Sequence, residues 1–483
     1  MSKSIKLNTF YKTVLNVCNI IFPLLTAPYI ARVLSVDGFT ECNRVTSVIS
    51  WFSPFAVFGV YTYGLRTISQ VKNNKIEVEK LFSSLFFLSV LFSAITTIAY
   101  FLLIYASPFF KDYIGLYIIG SSQLLFTCFA NDWMNEASEN YGFILVKSFV
   151  CKLIYVLSVF LFIKKADDAY LYILFTSISV ILNNLLTFTF NKWRFKFRKI
   201  DLLKTFKLIK PLFIVFLLVN SSMLYTMLDR FFLTYFADKM ELTFYHISQV
   251  LSNSVVQVTS SVIMVSIPRL SYFWGSQKQE AYYDLLKKSS SLFSVLSFPC
   301  CMGMAFLSTE IIYLYSGEKY LAGNVVLFAF CIRYLISNFD SIFAKQILLP
   351  TNNESSLTKI YYTAGVYNLL AKGILLYLKK LSALTCIVST ATADILVVIL
   401  QIIKIKRKNI KNVVFSKDLI IPFLVSVLFS VVIFIIHQFL IPENIKNVVL
   451  ISFLSMGICS ILYFAVLFFT KNKILLSFMR LRK

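Results

Sequence analysis

Charged and amide side chains interrupt several long apolar stretches of this sequence. Lys372 lies in the middle of one stretch with Asn368 four residues before it, and Arg333 lies seven residues before Asp340 in another. Both spacings place the two side chains on one face of a helix. A charged group buried in lipid costs about 2.5–3.5 kcal/mol or more unless it faces a cavity or a partner. These residues are therefore candidates for binding a ligand.

The cationic candidates share a place inside or at the end of an apolar stretch, where guanidinium and ammonium groups can hold phosphate oxygens. They are Arg32, Arg66, Arg230, Arg333, Lys372 and Lys152. The amides expected to line the same cavity are Gln249, Asn253, Gln257 and Asn368. The acids Asp340 and Asp394 are candidates for ion coupling. A positive cavity predicts an anionic ligand, such as a pyrophosphate whose lipid tail stays in the membrane.

Structural alternatives to ligand binding stay open for several of these residues. The amide side chains could equally well form hydrogen bonds between neighbouring helices, without any ligand. Lys152 reaches the cytoplasmic interface by snorkelling if its helix begins near Ser148. Arg333 pairs with Asp340 or Asp394 if it belongs to a structural ion pair.

The elements that carry these residues are membrane helices. The chain has 483 residues, of which 58% are hydrophobic and 14% charged, against about 25% charged in an ordinary soluble protein. The apolar residues fall into blocks of roughly 18–25, long enough to cross about 30 Å of hydrocarbon as a helix. Barrel strands would instead alternate in short segments. The sequence therefore predicts an all-α integral membrane protein.

Fourteen spans are predicted from these blocks. They are 13–33, 45–64, 81–105, 113–131, 143–163, 170–190, 211–229, 244–267, 289–314, 322–344, 360–378, 381–403, 418–440 and 447–470. With the N-terminus inside, and with Lys147 and Arg32 counted with the segments they adjoin, the inside segments hold 33 of the 47 basic residues and the outside segments hold 11. Because positive charge accumulates on the cytoplasmic side, both termini are predicted to be cytoplasmic. The inside loop 132–142, with three acids, goes against this trend.

The chain divides at its most basic connection, 191–210, which carries eight basic residues and one acid. We predict an N-terminal six-helix bundle at 1–190, a cytoplasmic linker at 191–210, a C-terminal six-helix bundle at 211–403, and two further helices with a basic tail at 404–483. The stretches 28–50 and 225–252 share a weak pattern of helix-ending arginines and Ser/Thr-rich helices. Two such repeats would be parallel, an arrangement typical of transporters that work by alternating access.

Several chemistries find no support in the sequence. The nucleotide-binding loop G-x-x-x-x-G-K-[ST], the H-E-x-x-H zinc motif and the nucleophile elbow are absent. The nine cysteines show no C-x-x-C spacing, and the net charge of +24 lies mostly between the apolar blocks. We therefore expect no enzyme activity, no cofactor, no metal and no nucleic-acid partner.

Three stretches resemble the Wzx-type polysaccharide flippases, which share a superfamily with multidrug and toxin extruders and lipid II flippases. They are FPLLTAPYIARVLSVDGFTECN at 22–43, YTYGLRTIS at 61–69 and SSMLYTMLDRFFLTYFAD at 221–238. The match is partial after the first helix, because the chain has SVDGFT at 35–40 where the family usually has G-P-E-G-x-G.

The resemblance implies two six-helix bundles that form a V, with two extra helices. It implies that an undecaprenyl-pyrophosphate-linked repeat unit moves from the cytoplasmic to the outer leaflet of the bacterial inner membrane, for O-antigen, capsule or exopolysaccharide assembly. It also implies coupling to H⁺ or Na⁺, with a polysaccharide polymerase and a chain-length regulator as partners. Arg32, Arg66 and Arg230 fall in the matched stretches, whereas Arg333 and Lys372 rest on the physical argument alone.

Three rival functions stay open at this point. A multidrug exporter of the same superfamily would need an acid-lined pocket for cations, and the basic excess argues against it. A membrane-embedded polysaccharide polymerase would need a large outside loop, and the longest one predicted here, 230–243, has fourteen residues. A scaffold within a polysaccharide-assembly complex is the third.

Overall fold

The computed structural model describes residues 5–71, 74–351, 353–405, 417–440, 445–470 and 472. Every regular element in these ranges is a helix, which confirms the predicted class. The basic segments 406–416 and 473–483, which carry part of the charge assigned to the cytoplasmic side, lie outside the described residues. The chain packs as two compact units, Met1–Met223 and Leu224–Lys483.

Besides two short 3₁₀ helices at Pro108–Tyr113 and Phe126–Phe129, the first unit contains nine complete α-helices within the described ranges. They are α1 (Ile5–Val33), α2 (Val36–Val57), α3 (Val60–Val71), α4 (Lys75–Ala106), α5 (Ile114–Leu125), α6 (Asp132–Ala137), α7 (Tyr141–Phe162), α8 (Ala169–Arg194) and α9 (Leu202–Lys207). Its main packing pairs are α7 with α1 and α8, α2 with α4 and α5, and α5 with α8. α10 (Ile209–Phe236) begins in this unit and ends in the second.

The second unit continues along the chain with helices of very different length. They are α11 (Lys239–Gly275), α12 (Gln279–Phe306), α13 (Ser308–Ser316), α14 (Asn324–Ile342), α15 (Glu354–Tyr377), α16 (Ala383–Lys404), α17 (Lys417–Val427), α18 (Phe429–Phe439) and α19 (Ile445–Phe469). α11 is the longest described helix, with 37 residues. α11 packs on α12 and α14, and α16 packs on α14 and α15.

Twelve segments of the described chain are long and apolar enough to cross a membrane, against fourteen spans predicted. The two other predicted spans, 211–229 and 360–378, coincide with α10 and α15, which are helical but are not among the twelve. In α15 the polar side chains of Asn368 and Lys372 lower the mean hydropathy. The count of fourteen therefore stays a prediction.

The first two predicted spans differ from their helices at the prolines. α1 is continuous although it contains Pro23 and Pro28, as membrane helices tolerate where neighbours satisfy the freed backbone groups. The predicted span 45–64 is wrong as one helix, because α2 ends at Val57, three residues after Pro54, and α3 begins at Val60. Gly59 between them has φ +76°, and a Cβ there would lie 2.6 Å from the carbonyl oxygen of Leu212.

The segment predicted as an outside loop at 34–44 is mostly helical. The Ser35 side chain caps α2 by accepting a hydrogen bond from the Gly38 amide at 3.1 Å. Glu41 and Arg44, one turn apart in α2, form a buried ion pair at 2.8 Å. Ser35 is the first residue of the stretch 35–40, where the chain departs from the family pattern G-P-E-G-x-G. Here a serine cap therefore begins the helix in place of that turn.

The predicted linker 191–210 lies inside the first unit, where it packs on α4. The buried carboxylate of Glu79 binds Arg198 Nη2 and Nε at 2.7 Å each and accepts the Lys196 amide at 3.2 Å. Asp201 caps α9 by accepting the Lys204 amide at 3.2 Å, and this bond lowers the pKa of the Asp201 carboxyl below its usual value. The predicted division into two six-helix repeats stays a prediction.

Large apolar side chains lie on the surface of both units. Leu102 and Leu161 in the first unit and Val265 and Phe453 in the second are each more than 60% exposed. Such surfaces are expected where lipid covers the protein. Inside the second unit, Tyr245 packs edge-on against Phe330 with ring centroids 4.9 Å apart, beside the polar residues described next.

Candidate functional site

Lys372 lies in the interior of the second unit and is fully buried. Its ammonium group is 2.6 Å from Oδ1 of Asp229 and donates to the side-chain oxygen of Asn368. Ser389 and Thr390 of α16 each accept from it at 3.2 Å. The lysine is therefore surrounded by oxygen atoms from α10, α15 and α16, and its charge is neutralised within the unit.

Asp229 is the functional candidate that the sequence reasoning missed. It is fully buried, and besides Lys372 it accepts hydrogen bonds from Tyr245 at 2.8 Å and from Thr390 at 2.7 Å. A lysine in mid-membrane needs a carboxylate partner, and that need was the available signal. The predicted span ended at residue 229, so Asp229 was counted with the helix end.

Arg333 is also paired. Its Nε lies 2.7 Å from Oδ2 of Asp394, which accepts a second hydrogen bond from Ser337 at 2.9 Å. Both charged side chains are buried. Of the alternatives left open for Arg333, the structure therefore shows the ion pair, and the partner is Asp394. Each of these two predicted cations is therefore neutralised by a carboxylate within the described residues, which leaves no excess positive charge around Arg333 and Lys372 there.

Arg230 is the candidate cation of the second unit with an uncharged partner. It is half-buried, and its Nε and Nη2 donate to Oε1 of Gln249, the former at 2.8 Å. Within the ranges that the structure describes, no carboxylate contacts this guanidinium. Nη1 and the remaining N–H of Nη2 have donor capacity left for an anion.

The other predicted amides do not form one stripe around a cavity. Asn253 accepts a hydrogen bond from the Tyr334 hydroxyl at 2.6 Å, which joins α11 to α14. Gln257 is exposed on α11. Asn368 is buried and donates to Thr390 at 3.2 Å, in addition to accepting from Lys372. Interhelical hydrogen bonding, the alternative left open above, accounts for Asn253 and Asn368.

Asp340 differs from the other acids of this unit in its partners. Its Oδ1 accepts from Tyr361 at 3.0 Å and from Gln401 at 2.6 Å, and both donors are neutral. Arg333 and Asp340, predicted to share a helix face, do not pair with each other. No cation lies within ion-pair distance of Asp340 in the described part of the chain.

The first unit carries three predicted cations at separate places. Arg32 at the end of α1 is exposed, and Arg66 in α3 is exposed with its guanidinium 5.9 Å from the Tyr63 ring. Lys152 in α7 is half-buried and donates to the Asn19 side chain of α1. This bond points it toward a neighbouring helix, so the snorkelling alternative does not describe its contact.

A second ion pair of the first unit, between buried Lys147 and partly exposed Asp132, was not predicted. Nζ of Lys147 lies 2.8 Å from Oδ1 of Asp132, and Thr187 donates to the same oxygen at 3.0 Å. Asp132 begins the short helix α6, in the segment that the sequence assigned to a cytoplasmic loop. At least one acid of that segment, Asp132, therefore neutralises the charge of Lys147 in α7.

Solved structures with similar coordinates define the class of the fold. Lipid II flippase MurJ, in an inward closed conformation, matches with a TM-score of 0.67 at 16% identity, over 96% of this chain and 99% of that one. A multidrug resistance MATE family transporter of the MOP superfamily, in an inward-facing conformation, matches with a TM-score of 0.55 at 11% identity, over 80% of this chain and 97% of that one. The chain is a multi-span, all-α membrane protein with the fold that these two proteins share.

The sequence comparisons identify the family. A family model described as "Polysaccharide biosynthesis protein" matches residues 5–274, which is more than half of the chain, and the protein belongs to this family. Two relatives carry the name "Putative O-antigen transporter". The one from Shigella dysenteriae is 21% identical over 80% of this chain and 96% of its own length. The one from Escherichia coli K12 is 18% identical over 76% and 89%.

Proposed function

We propose that this protein is a flippase that moves a lipid-linked oligosaccharide across the bacterial cytoplasmic membrane. The observation that carries the proposal is the match to an O-antigen transporter along nearly the whole of that relative, within a family named for polysaccharide biosynthesis. The fold adds support, because a protein named as a lipid II flippase has the same fold. A transporter rather than an enzyme is the expected class.

The proposed substrate is an undecaprenyl-pyrophosphate-linked repeat unit for O-antigen, capsule or exopolysaccharide. The protein would carry it from the cytoplasmic to the outer leaflet by alternating access. Among the predicted cations, Arg230 is the strongest candidate for a pyrophosphate contact, because its described partner is a neutral amide. Arg66, which is exposed, is the second. Arg333 and Lys372 would serve to hold helices together.

Asp340 is the proposed coupling residue for an H⁺ or Na⁺ gradient. The carboxyl group of Asp340 is partly buried and is held by neutral donors. Its net charge changes when it takes up a cation, and partial removal from water increases the energy of that change. Asp394 is a weaker candidate because Arg333 already neutralises it. Asp340 therefore has a property that a coupling site needs.

A leaflet assay tests the proposal directly. The full chain is reconstituted in liposomes that contain a polyprenyl-pyrophosphate-linked oligosaccharide, and an impermeant glycosidase reports the sugar in the outer leaflet. We expect the protected half of the substrate to become cleavable within minutes, and to remain protected in protein-free vesicles. Arg230→Gln should slow this exchange at least tenfold, whereas Arg194→Gln, at an exposed arginine of α8, should not.

Two further readouts separate the rival functions. Efflux of a cationic dye from the same vesicles, without oligosaccharide exchange, would support a multidrug exporter and refute the flippase. Lengthening of the oligosaccharide would support a polymerase. The predicted cytoplasmic position of both termini is tested in cells with reporter domains fused to each end.

A further inference from the structure

A cavity of about 400 Å³ lies within the first unit, among α1, α3, α6, α7 and α8. Its volume falls in the range of about 300–1,000 Å³ that is usual for small-ligand sites. Polar side chains from all five helices reach it, although polar groups inside membrane helices are costly unless they have partners. The cavity therefore needs an explanation beyond helix packing.

The charges in this cavity are nearly balanced without a ligand. Asp132, on its wall, is already paired with Lys147 at 2.8 Å. That leaves Glu136 on the acidic side, with Lys12 and Lys152 on the basic side. A phosphate group would lie beside two carboxylates. A metal cation would find only one carboxylate outside an ion pair, Glu136, which already accepts a hydrogen bond from the Tyr61 hydroxyl. The balance disfavours both a multivalent anion and a bare cation.

The uncharged groups have hydrogen-bonding capacity that faces the cavity. The Asn19 oxygen accepts from Lys152, so its two N–H donors remain for another partner. The Asn183 oxygen accepts from Ser148 at 3.3 Å, which leaves its amide N–H donors in the same position. Asn16 lines the cavity and is exposed. Alternating donors and acceptors of this kind match a ligand that carries many hydroxyl groups.

We propose that this cavity binds a saccharide, as the sugar-recognition site for the headgroup of the lipid-linked substrate. This inference rests on the proposed function for its link to transport. Amides and carboxylates bind sugar hydroxyls as paired donors and acceptors, and the Tyr61 ring on the wall offers an apolar face to a pyranose. Lys12 and Lys152 would add selectivity for a sugar that carries a carboxylate.

The predicted topology puts the cavity on the side where the substrate is made. The residues before the predicted span 13–33 and the segment 132–142 both fall on the cytoplasmic side of the predicted topology. Residues 12–19 and the start of α6 both line this cavity. A sugar bound there would be recognised before translocation begins, so this site would decide which oligosaccharides enter the cycle.

Binding is tested with soluble sugars and the full-length protein in nanodiscs. The probes are neutral hexoses, N-acetylhexosamines and hexuronic acids at millimolar concentration, observed by saturation-transfer-difference NMR. We expect at least one sugar class to bind, and Asn19→Leu and Asn183→Leu each to weaken it at least tenfold. Asn184→Leu is the matched control, because Asn184 is the next residue of α8 but bonds to the Phe126 carbonyl outside the cavity.

Three outcomes would overturn the saccharide site. They are the absence of binding by every sugar class, equal binding by the wild type and the two cavity variants, and displacement of the sugar by inorganic pyrophosphate. Elution of each variant as a single monodisperse peak shows that lost binding is not lost folding.

The leaflet assay separates this inference from the proposed function. If the wild type moves lipid-linked oligosaccharide and both cavity variants move it at the same rate, only the saccharide site is refuted. If the wild type moves none while soluble sugar binds in an Asn183-dependent way, the site stands and the flippase proposal fails.

Discussion

The ammonium group of Lys372 lies 2.6 Å from the carboxylate of Asp229, and both side chains are fully buried. This ion pair joins α15 to α10 inside the second unit. Removal of one partner from a buried pair leaves an uncompensated charge, which typically costs about 3–5 kcal/mol. The pair therefore makes a large stability difference that single and double substitutions can measure.

Lys372→Met should lower the free energy of unfolding by about 3–5 kcal/mol, because the Asp229 carboxylate is then buried without a cation. The double variant Lys372→Met with Asp229→Asn should recover more than half of that loss. Thermal unfolding in detergent, followed with a thiol-reactive dye that reports the buried cysteines, measures both. Additive losses in the double variant would show that the two residues do not act as a pair.

Arg333→Gln should reduce the amount of folded protein in the membrane as well as transport, because Arg333 neutralises buried Asp394. Arg333→Lys keeps the positive charge and should retain an intermediate melting temperature. Membrane abundance and melting temperature are compared with transport for both variants. A stable and abundant Arg333→Gln protein that no longer transports would instead indicate contact with the substrate.

Asp340→Asn should leave the protein folded and reduce the rate of gradient-driven transport at least tenfold. Asparagine is close to aspartate in size and still accepts from Tyr361 and Gln401, but it does not bind a proton or Na⁺ with a change of charge. Accumulation against a gradient is measured beside exchange without one. Asp284→Asn, at an exposed acid of α12, is the control. Unchanged accumulation in Asp340→Asn would remove this residue from coupling.

Glu79→Gln should release the 191–210 segment from α4, because Arg198 then loses a carboxylate that holds it at 2.7 Å. Trypsin should cleave after Arg198 or Lys199 several times faster in this variant. Glu77→Gln changes an exposed acid on the same helix and should leave the cleavage rate unchanged. Equal rates in both variants would mean that the ion pair does not hold the segment.

Gly59→Ala should destabilise the protein by about 1–3 kcal/mol, because φ is +76° and the new Cβ would meet the Leu212 carbonyl oxygen at 2.6 Å. Gly303→Ala is the matched control inside α12, where a Cβ meets nothing within 4 Å. Alanine is favoured over glycine in a helix by about 0.5–1 kcal/mol, so this change should raise the melting temperature slightly. Opposite signs for the two variants are the expected result.

The helices were predictable because lipid imposes a simple rule on the backbone. An apolar block of about twenty residues has no other stable conformation in a bilayer, so most of the predicted spans match helices. The boundaries were less predictable. The break at Gly59 depends on a carbonyl of α10, more than a hundred residues later, and no local pattern reports that contact.

The sequence indicated several of the charged residues inside the second unit, but it indicated neither Asp229 nor the partners of the others. Arg333, Lys372 and Asp394 were singled out because they are charged residues inside long apolar stretches, and all three are buried. It did not show that Arg333 would bind Asp394 across 61 positions, or that Lys372 would bind Asp229 across 143. Pairing depends on how helices pack, and a single sequence contains no direct record of that packing.

α11 has 37 residues and so extends about 55 Å, while the hydrocarbon layer is about 30 Å thick. A tilt of about 40°, the upper end of the observed range, lengthens the path through the layer only to about 39 Å. About eleven helical residues, or five to six at each end if they are shared equally, must therefore lie in the headgroup region or in water. Tyr272 and Trp274 lie in the last turn of α11, and such aromatic side chains are typical of the membrane–water interface. A movement of α11 during transport would therefore also move helical residues outside the hydrocarbon layer.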